Sequence, residues 1–253
     1  FDVVQFLKMF IEGLENSARS AIAVAVTCGC AGIIVGVVTM TGLGLKMANG
    51  IVALAGGSLY LTMIFTMLCS IVLGMGVPTT ANYIIQATIS APALIALGVP
   101  KIAAHLFVFY FGIVADITPP VALAAFAGSG IAGSDPMKTG FNATRLGIAA
   151  YLVPYMFVMN PVLVLVRPDG MALGIFVLVV IKAIITALIG MMGLATGFTG
   201  YLCTHCKIWE RFVLVASGLL LVDAGTVTDI IGIGLFLIIY ILQKKRAKSA
   251  LAA

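Results

Sequence analysis

The sequence predicts an all-α polytopic membrane protein. Three observations predict it. Of 253 residues, 62% are hydrophobic and only 9% are charged, against about 25% charged in a soluble domain. The apolar residues come in long runs rather than in the alternation of a membrane barrel strand. The 28 Gly and 9 Pro gather at a few places in those runs, and clustered helix-breakers at membrane depth are informative. This composition excludes an ordinary soluble enzyme, a nucleic-acid-binding module and a disordered tail. The formal net charge of +5 is no nucleic-acid signal, because Lys and Arg are scattered at the ends of apolar runs.

Residues 1–20 carry Lys8, Glu12, Glu15 and Arg19 among Phe6, Phe10, Ile11 and Leu14. The spacing predicts an amphipathic helix at the membrane interface; a solvated lead-in to the next span is the plainer reading. Residues 20–45 are uncharged and, at about 1.5 Å per residue, long enough to cross a hydrocarbon core of about 30 Å. Another apolar run covers 51–73 and leads into Gly74-Met75-Gly76-Val77-Pro78-Thr79-Thr80. Pro78 lacks a backbone donor and the two glycines weaken a helix, so none runs cleanly through. The stretch 81–99 is apolar but holds Asn82, Gln86, Thr88 and Ser90. Two readings stand for 51–99: two complete spans with a tight turn, or a re-entrant hairpin with its tip at 74–80. The polar second arm favours the hairpin.

Residues 102–115 are apolar, and Asp116 follows them. Pro119 and Pro120 stop the helix, and apolar sequence resumes from Val121 to Ile131. This pattern predicts a discontinuous membrane helix over 102–133. Residues 136–145, with Lys138 and Arg145, read as a surface segment. Spans are predicted at about 146–166 and 171–195. Two short runs, 211–222 and 228–242, are separated by Asp223 and Asp229 and followed by a basic tail at 243–248. With that tail in the cytoplasm and 211–242 crossing twice, ten Lys or Arg fall inside, three outside and Lys182 within a span. The distribution obeys the positive-inside rule, although each of the two runs is short for a full crossing.

The breaks carry the chemistry. Unwound backbone in lipid leaves polar groups unpaired at several kcal/mol each, so something must use them. Free carbonyls at a half-helix C-terminus suit a cation such as Na⁺; free amides at a half-helix N-terminus suit an anion. Thr79, Thr80, Asn82, Thr118 and Ser129 add side-chain oxygens, a set that fits a hard cation and no transition metal. Asp116 reads either as an interfacial residue or, if deeper, as one that needs a partner or a function. His105 reads as hydrogen-bonded or interfacial rather than a ligand, and Lys182 as snorkelling or facing a polar interior. Of the five cysteines, Cys28, Cys30, Cys69, Cys203 and Cys206, the last two form a Cys-Thr-His-Cys segment with no second pair and the wrong order for haem attachment. No Asp pair, HExxH or Ser-His spacing supports an intramembrane enzyme.

The stretches GMGVPTTANYIIQATISAPAL (74–94) and ITPPVALAAFAGSGIAG (117–133) resemble the large membrane subunit of TRAP transporters, the tripartite ATP-independent periplasmic family. The wording GVPTTANY and ADITPP is most similar to the fused permeases that work with TAXI-type receptors. The resemblance covers about residues 1–165; residues 166–253 resemble the C-terminal membrane extension of those permeases through less specific motifs. It implies one half of an inverted-repeat secondary transporter, with the second structural repeat at 1–165. It further implies a bacterial or archaeal cytoplasmic membrane, Na⁺ as the coupling ion, elevator-type movement, and an organic acid delivered by a periplasmic solute-binding protein. The chain begins at Phe1 rather than Met, which predicts a piece of a longer protein, and the resemblance implies an upstream repeat and a small membrane component of the same permease.

Carried onto this sequence, the cation-binding positions are Gly74, Gly76, Pro78, Thr79, Thr80, Asp116, Thr118 and Pro119. The substrate side takes Asn82, Pro120, Gly128 and Ser129, the last two near the start of the half-helix after the break. Many family members have a Gly-Leu-Asn-type sequence after the two prolines; here Val121-Ala122-Leu123-Ala124 stands there. A sodium/dicarboxylate-type symporter that works without a receptor is the alternative.

Overall fold

The computed structural model describes residues 3–222 and 225–251. Its regular elements are all helical, and no strand occurs among the described residues. Helix α1, Val3–Met40, is one unbroken helix of 38 residues. The predicted interfacial helix over 1–20 and span over 20–45 are therefore not separate elements. The charges at its start do not interrupt it, because Arg19 reaches back one turn to Glu15 at 2.8 Å, an i,i+4 pair that supports a helix. The break comes at Thr41-Gly42. Gly42 takes φ 64, a conformation open to glycine, and the axis turns by 76° between Gly32–Met40 and α2, Leu43–Leu54.

Helix α3, Leu59–Gly74, is the first arm of a helix–turn–helix unit. It starts at 59 rather than 51, because α2 extends to Leu54 and Gly56-Gly57 separates the two. The second arm is α4, Thr79–Ile89, followed by α5, Ala91–Ala96. Pro92 near the start of α5 removes a helix donor and separates them. The arms lie side by side: the Gln86 amide donates to Ser70 O at 3.2 Å, and the Ser90 hydroxyl to Cys69 Sγ at 3.6 Å.

Helix α6, Lys101–Val114, is the centre of this region and packs on α3, α4, α5 and α9, Val153–Met159. Phe107, Phe111, Met63 and Leu94 are fully buried around it. Phe107 and Phe111 meet edge-on at 4.9 Å, and the Tyr155 ring closes against both. Among lipid tails such contacts stabilise through close packing rather than transfer from water. A 3₁₀ turn, Ala115–Ile117, ends α6, and α7, Leu123–Ala132, resumes the helix. The predicted discontinuous helix is thus observed.

Residues 136–145 are more than a surface segment: α8, Pro136–Leu146, starts on an Asp135 cap that accepts from Lys138 N at 2.7 Å. The predicted span at 146–166 is not one helix. It divides into a 3₁₀ turn at Ile148–Leu152, α9 and a second 3₁₀ turn at Pro161–Val164. Pro154 and Pro161 set the divisions in an otherwise apolar run.

The C-terminal region is regular. Helix α10, Leu173–Thr199, packs on α11, Ile208–Val222, and α12, Thr226–Leu251, packs on both. Asp223 lies outside the described residues, whereas Asp229 sits in the first turn of α12. Small residues set the closeness of α10 and α11. A Cβ on Gly190 would lie 2.9 Å from Leu221 Cβ, and one on Gly193 3.1 Å from Leu214 O, as in other close membrane helix pairs. Lys182 does not stand alone in its span: its ammonium meets Asp229 Oδ2 at 2.8 Å. Leu173–Thr199 and Val227–Ala247 are long and apolar enough to cross a membrane, and the bent pair of α1 and α2 adds a third candidate.

Candidate functional site

The two predicted breaks meet. Helix α3 ends at Gly74, whose missing side chain lets it lie on the end of α6. A Cβ there would stand 2.8 Å from both Ala115 Cβ and Gly112 O, and 3.0 Å from Asn82 Nδ2. Gly112 completes the fit from the other side, since a Cβ on it would run into Asn82 Nδ2 and stand 2.8 Å from Gln86 Nε2. Two glycines thus seat the hairpin tip on the broken helix through backbone and two buried amide side chains.

The turn itself runs from Met75 to Pro78. Gly76 takes φ 73, which a side chain resists. Pro78 is the N-cap of α4 at φ −54 and ψ 142 and supplies no side-chain cap. Thr79 and Thr80 are therefore the first residues of a helix, beside its free amides, rather than residues of an open loop. Gly76, Pro78, Thr79 and Thr80 are exposed on this chain, whereas Asn82 is buried and its Oδ1 accepts from Gln86 Nε2 at 2.5 Å.

The break in α6 is braced from outside the hairpin. Thr118 donates to Val114 O at 2.6 Å and shares a 2.5 Å hydrogen bond with Tyr151 Oη. Thr144 donates to Ile117 O at 2.9 Å, and Gly140 gives Pro119 room. Asp116, Thr118 and Pro119 are half-buried, and Asp116 forms no ion pair among the described residues. Pro120 is exposed, and Ala122 takes φ 36 as the chain re-enters helix at α7.

Two predicted residues stand apart. Gly128 and Ser129 lie in the body of α7, not near its start, because helix resumes at Leu123 directly after the two prolines. Ser129 spends its hydroxyl on Phe126 O at 2.7 Å, and α7 packs mainly on α8 and the 3₁₀ turn. His105 is hydrogen-bonded as expected, facing Tyr83 Oη at 3.2 Å.

Sequence reasoning missed Gly112, Thr144 and Tyr151, and counted Gln86 only as polarity. Thr144 and Tyr151 join the break from far along the chain and leave no local signal. The four-residue spacing of Asn82 and Gln86 on one face of α4 did leave one.

Electrically, the junction gathers opposite helix ends. The C-termini of α3 and α6 bring partial negative charge; the N-termini of α4 and α7 bring partial positive charge and free amides. The α4 terminus belongs to the tip, and α7 follows the break. Such an arrangement can hold a cation and an anion near one another without a charged side chain for either.

Residues 5–168 match the family model described as tripartite ATP-independent periplasmic transporter, DctM component. No curated protein and no solved structure matches the chain. With well over half of its length inside that match, and with a helical membrane architecture interrupted at the two motifs that carry the likeness, the chain belongs to the DctM family of membrane components of tripartite ATP-independent periplasmic transporters.

Proposed function

We propose that this chain couples Na⁺ entry to uptake of an organic anion, with the junction of the two helix breaks as the site of both. The family is one of three-part transporters, so a periplasmic binding protein and a small membrane component are its partners. The finer reading is ours: a TAXI-type receptor hands over the anion, and the hairpin re-enters the membrane from the face it left. The junction then moves across the bilayer as an elevator. The observation that carries this reading is the seating of Gly74 on Gly112 and Ala115, which holds two helix C-termini together beside the N-terminal turn of α4. A cation at the paired C-termini and a carboxylate at the free amides of Thr79 and Thr80 each find the favourable helix end.

The energetics suffice. One charge falling through 100 mV releases about 2.3 kcal/mol, and a tenfold gradient adds about 1.4 kcal/mol. Two Na⁺ supply roughly 7 kcal/mol on these figures, less what an anion spends against the field. We place the permease in the cytoplasmic membrane with the basic end of α12 inside, as the charge distribution favours.

The test is transport by the complete permease in proteoliposomes, with its receptor loaded from a panel of carboxylic acids. Uptake is expected to stop when choline replaces Na⁺, and to stop without receptor. Uptake that persists in choline refutes the coupling; uptake without receptor favours a free-standing symporter.

A further inference from the structure

The shaft of the hairpin buries oxygens that the tip does not use. Thr66 Oγ1, Ser70 Oγ and Gln86 Oε1 have no hydrogen-bond partner among the described residues, and all three residues are 0% exposed. Buried polar atoms are normally paired, so each such atom asks for an explanation. Two of them belong to residues that meet across the arms, Ser70 and Gln86, and the third lies one turn along α3 from Ser70, so they ask for a common one. Thr66 and Ser70 are four apart on α3 and share a face. Gln86 meets that face from α4, where its Nε2 donates to Ser70 O and to Asn82 Oδ1. With its amide hydrogens committed, the remaining Oε1 can only accept.

The surroundings select the ligand's charge. Neither α3 nor α4 carries an Asp, Glu, Lys, Arg or His, so an anion has no cationic partner here. Ser70 lies one turn from the C-terminus of α3, and Gly112, under Asn82 and Gln86, lies in the last turn of α6. Both helices present their negative ends to this spot. Neutral oxygens in such a field suit a small hard cation, which takes oxygen ligands.

We propose that Thr66, Ser70 and Gln86 form a Na⁺ site in the hairpin shaft, separate from the tip and the break. It rests on the sodium coupling proposed above and adds a second ion to it. The ion bridges the two arms, so its occupancy decides whether the hairpin moves as one body.

The test is equilibrium binding of ²²Na⁺ to the complete purified permease, with thermal stability in Na⁺ and in choline read in parallel. Thr66→Val and Ser70→Ala are each expected to remove one bound Na⁺ per molecule or to weaken it at least tenfold, and to shrink the stabilisation by Na⁺. Thr66→Ser, which keeps the hydroxyl, is expected to retain wild-type binding and so separates lost ligation from a fold that does not form. Unchanged stoichiometry and affinity in Thr66→Val and Ser70→Ala overturn the shaft site and leave tip coupling standing. A wild-type permease that binds no ²²Na⁺ overturns both.

Discussion

The two ends of this chain treat their buried polar groups in opposite ways. In α10–α12 every helix is continuous and the buried charges are paired. Glu210 is gripped by Arg246 Nη2 at 2.6 Å, by Gln243 Nε2 at 3.0 Å and by Lys207 N at 2.9 Å. Arg211 closes the C-terminus of α10 by donating to Gly197 O at 2.8 Å and Phe198 O at 2.7 Å. In α3–α7 the helices are broken, the buried polar side chains are neutral, and several of their oxygens are left as free acceptors. Paired charges fix a structure, and a cluster of unpaired acceptors leaves capacity for a ligand. We read the C-terminal helices as a scaffold and the matched region, residues 5–168, as the working part.

The largest expected effect tests the scaffold. Glu210→Leu removes one acceptor from three donors, of which Gln243 is buried and cannot turn to water. Breaking a buried ion pair from one side costs up to about 3–5 kcal/mol. Arg246 is partly exposed and can rehydrate, so about 3 kcal/mol is expected here. Thermal unfolding of the detergent-purified permease measures it. A loss well below about 1 kcal/mol breaks the comparison, because the C-terminal helices then owe little to their charges.

A pair of glycine substitutions sharpens it. A Cβ on Gly218 would stand 2.7 Å from Gly190 O, and one on Gly74 2.8 Å from Gly112 O. Overpacking of this kind costs about 1–3 kcal/mol at either place. Gly218→Ala is expected to lower the melting temperature and leave Na⁺ affinity as it was. Gly74→Ala is expected to lower Na⁺ affinity about tenfold or more, since it pushes the two helix ends apart. Equal effects of both on Na⁺ binding remove the distinction between scaffold and site.

The helical class and the places where helices stop were legible in sequence because they follow from residue type. Pro78 and the Pro119-Pro120 pair each remove donors, and long apolar runs fit only helices in lipid. What was not legible depended on contacts across the fold. The charges at 8–19 suggested a separate interfacial helix, yet charge alone does not end a helix, and α1 runs on to Met40. The apolar composition of 146–166 concealed the divisions at Pro154 and Pro161. Ser129 looked like a site residue from its motif, but only the structure shows its hydroxyl bonded within its own helix. The meeting of Gly74 with Gly112 and Ala115 spans nearly forty residues, and no local pattern announces it.

The smallest expected effect separates two roles for Thr118. Its hydroxyl donates to Val114 O and pairs with Tyr151 Oη. With one donor and two lone pairs, it keeps one acceptor position beyond these partners when Tyr151 donates. If Thr118 only braces the break, Thr118→Val and Tyr151→Phe both remove the long-range hydrogen bond, Thr118→Val losing in addition only the local one to Val114 O, and they weaken Na⁺ by similar factors. If its oxygen also faces the ion, Tyr151→Phe leaves the ligand in place while Thr118→Val deletes it. We expect the second outcome: about a fivefold rise in the Na⁺ needed for half-maximal uptake with Thr118→Val, corresponding to about 1 kcal/mol, and under about twofold with Tyr151→Phe. The double variant distinguishes coupling from chance, since it should match Thr118→Val alone rather than the product of the two. Matching losses in the two single variants would make the threonine a brace and leave the cation to the carbonyls of the helix ends.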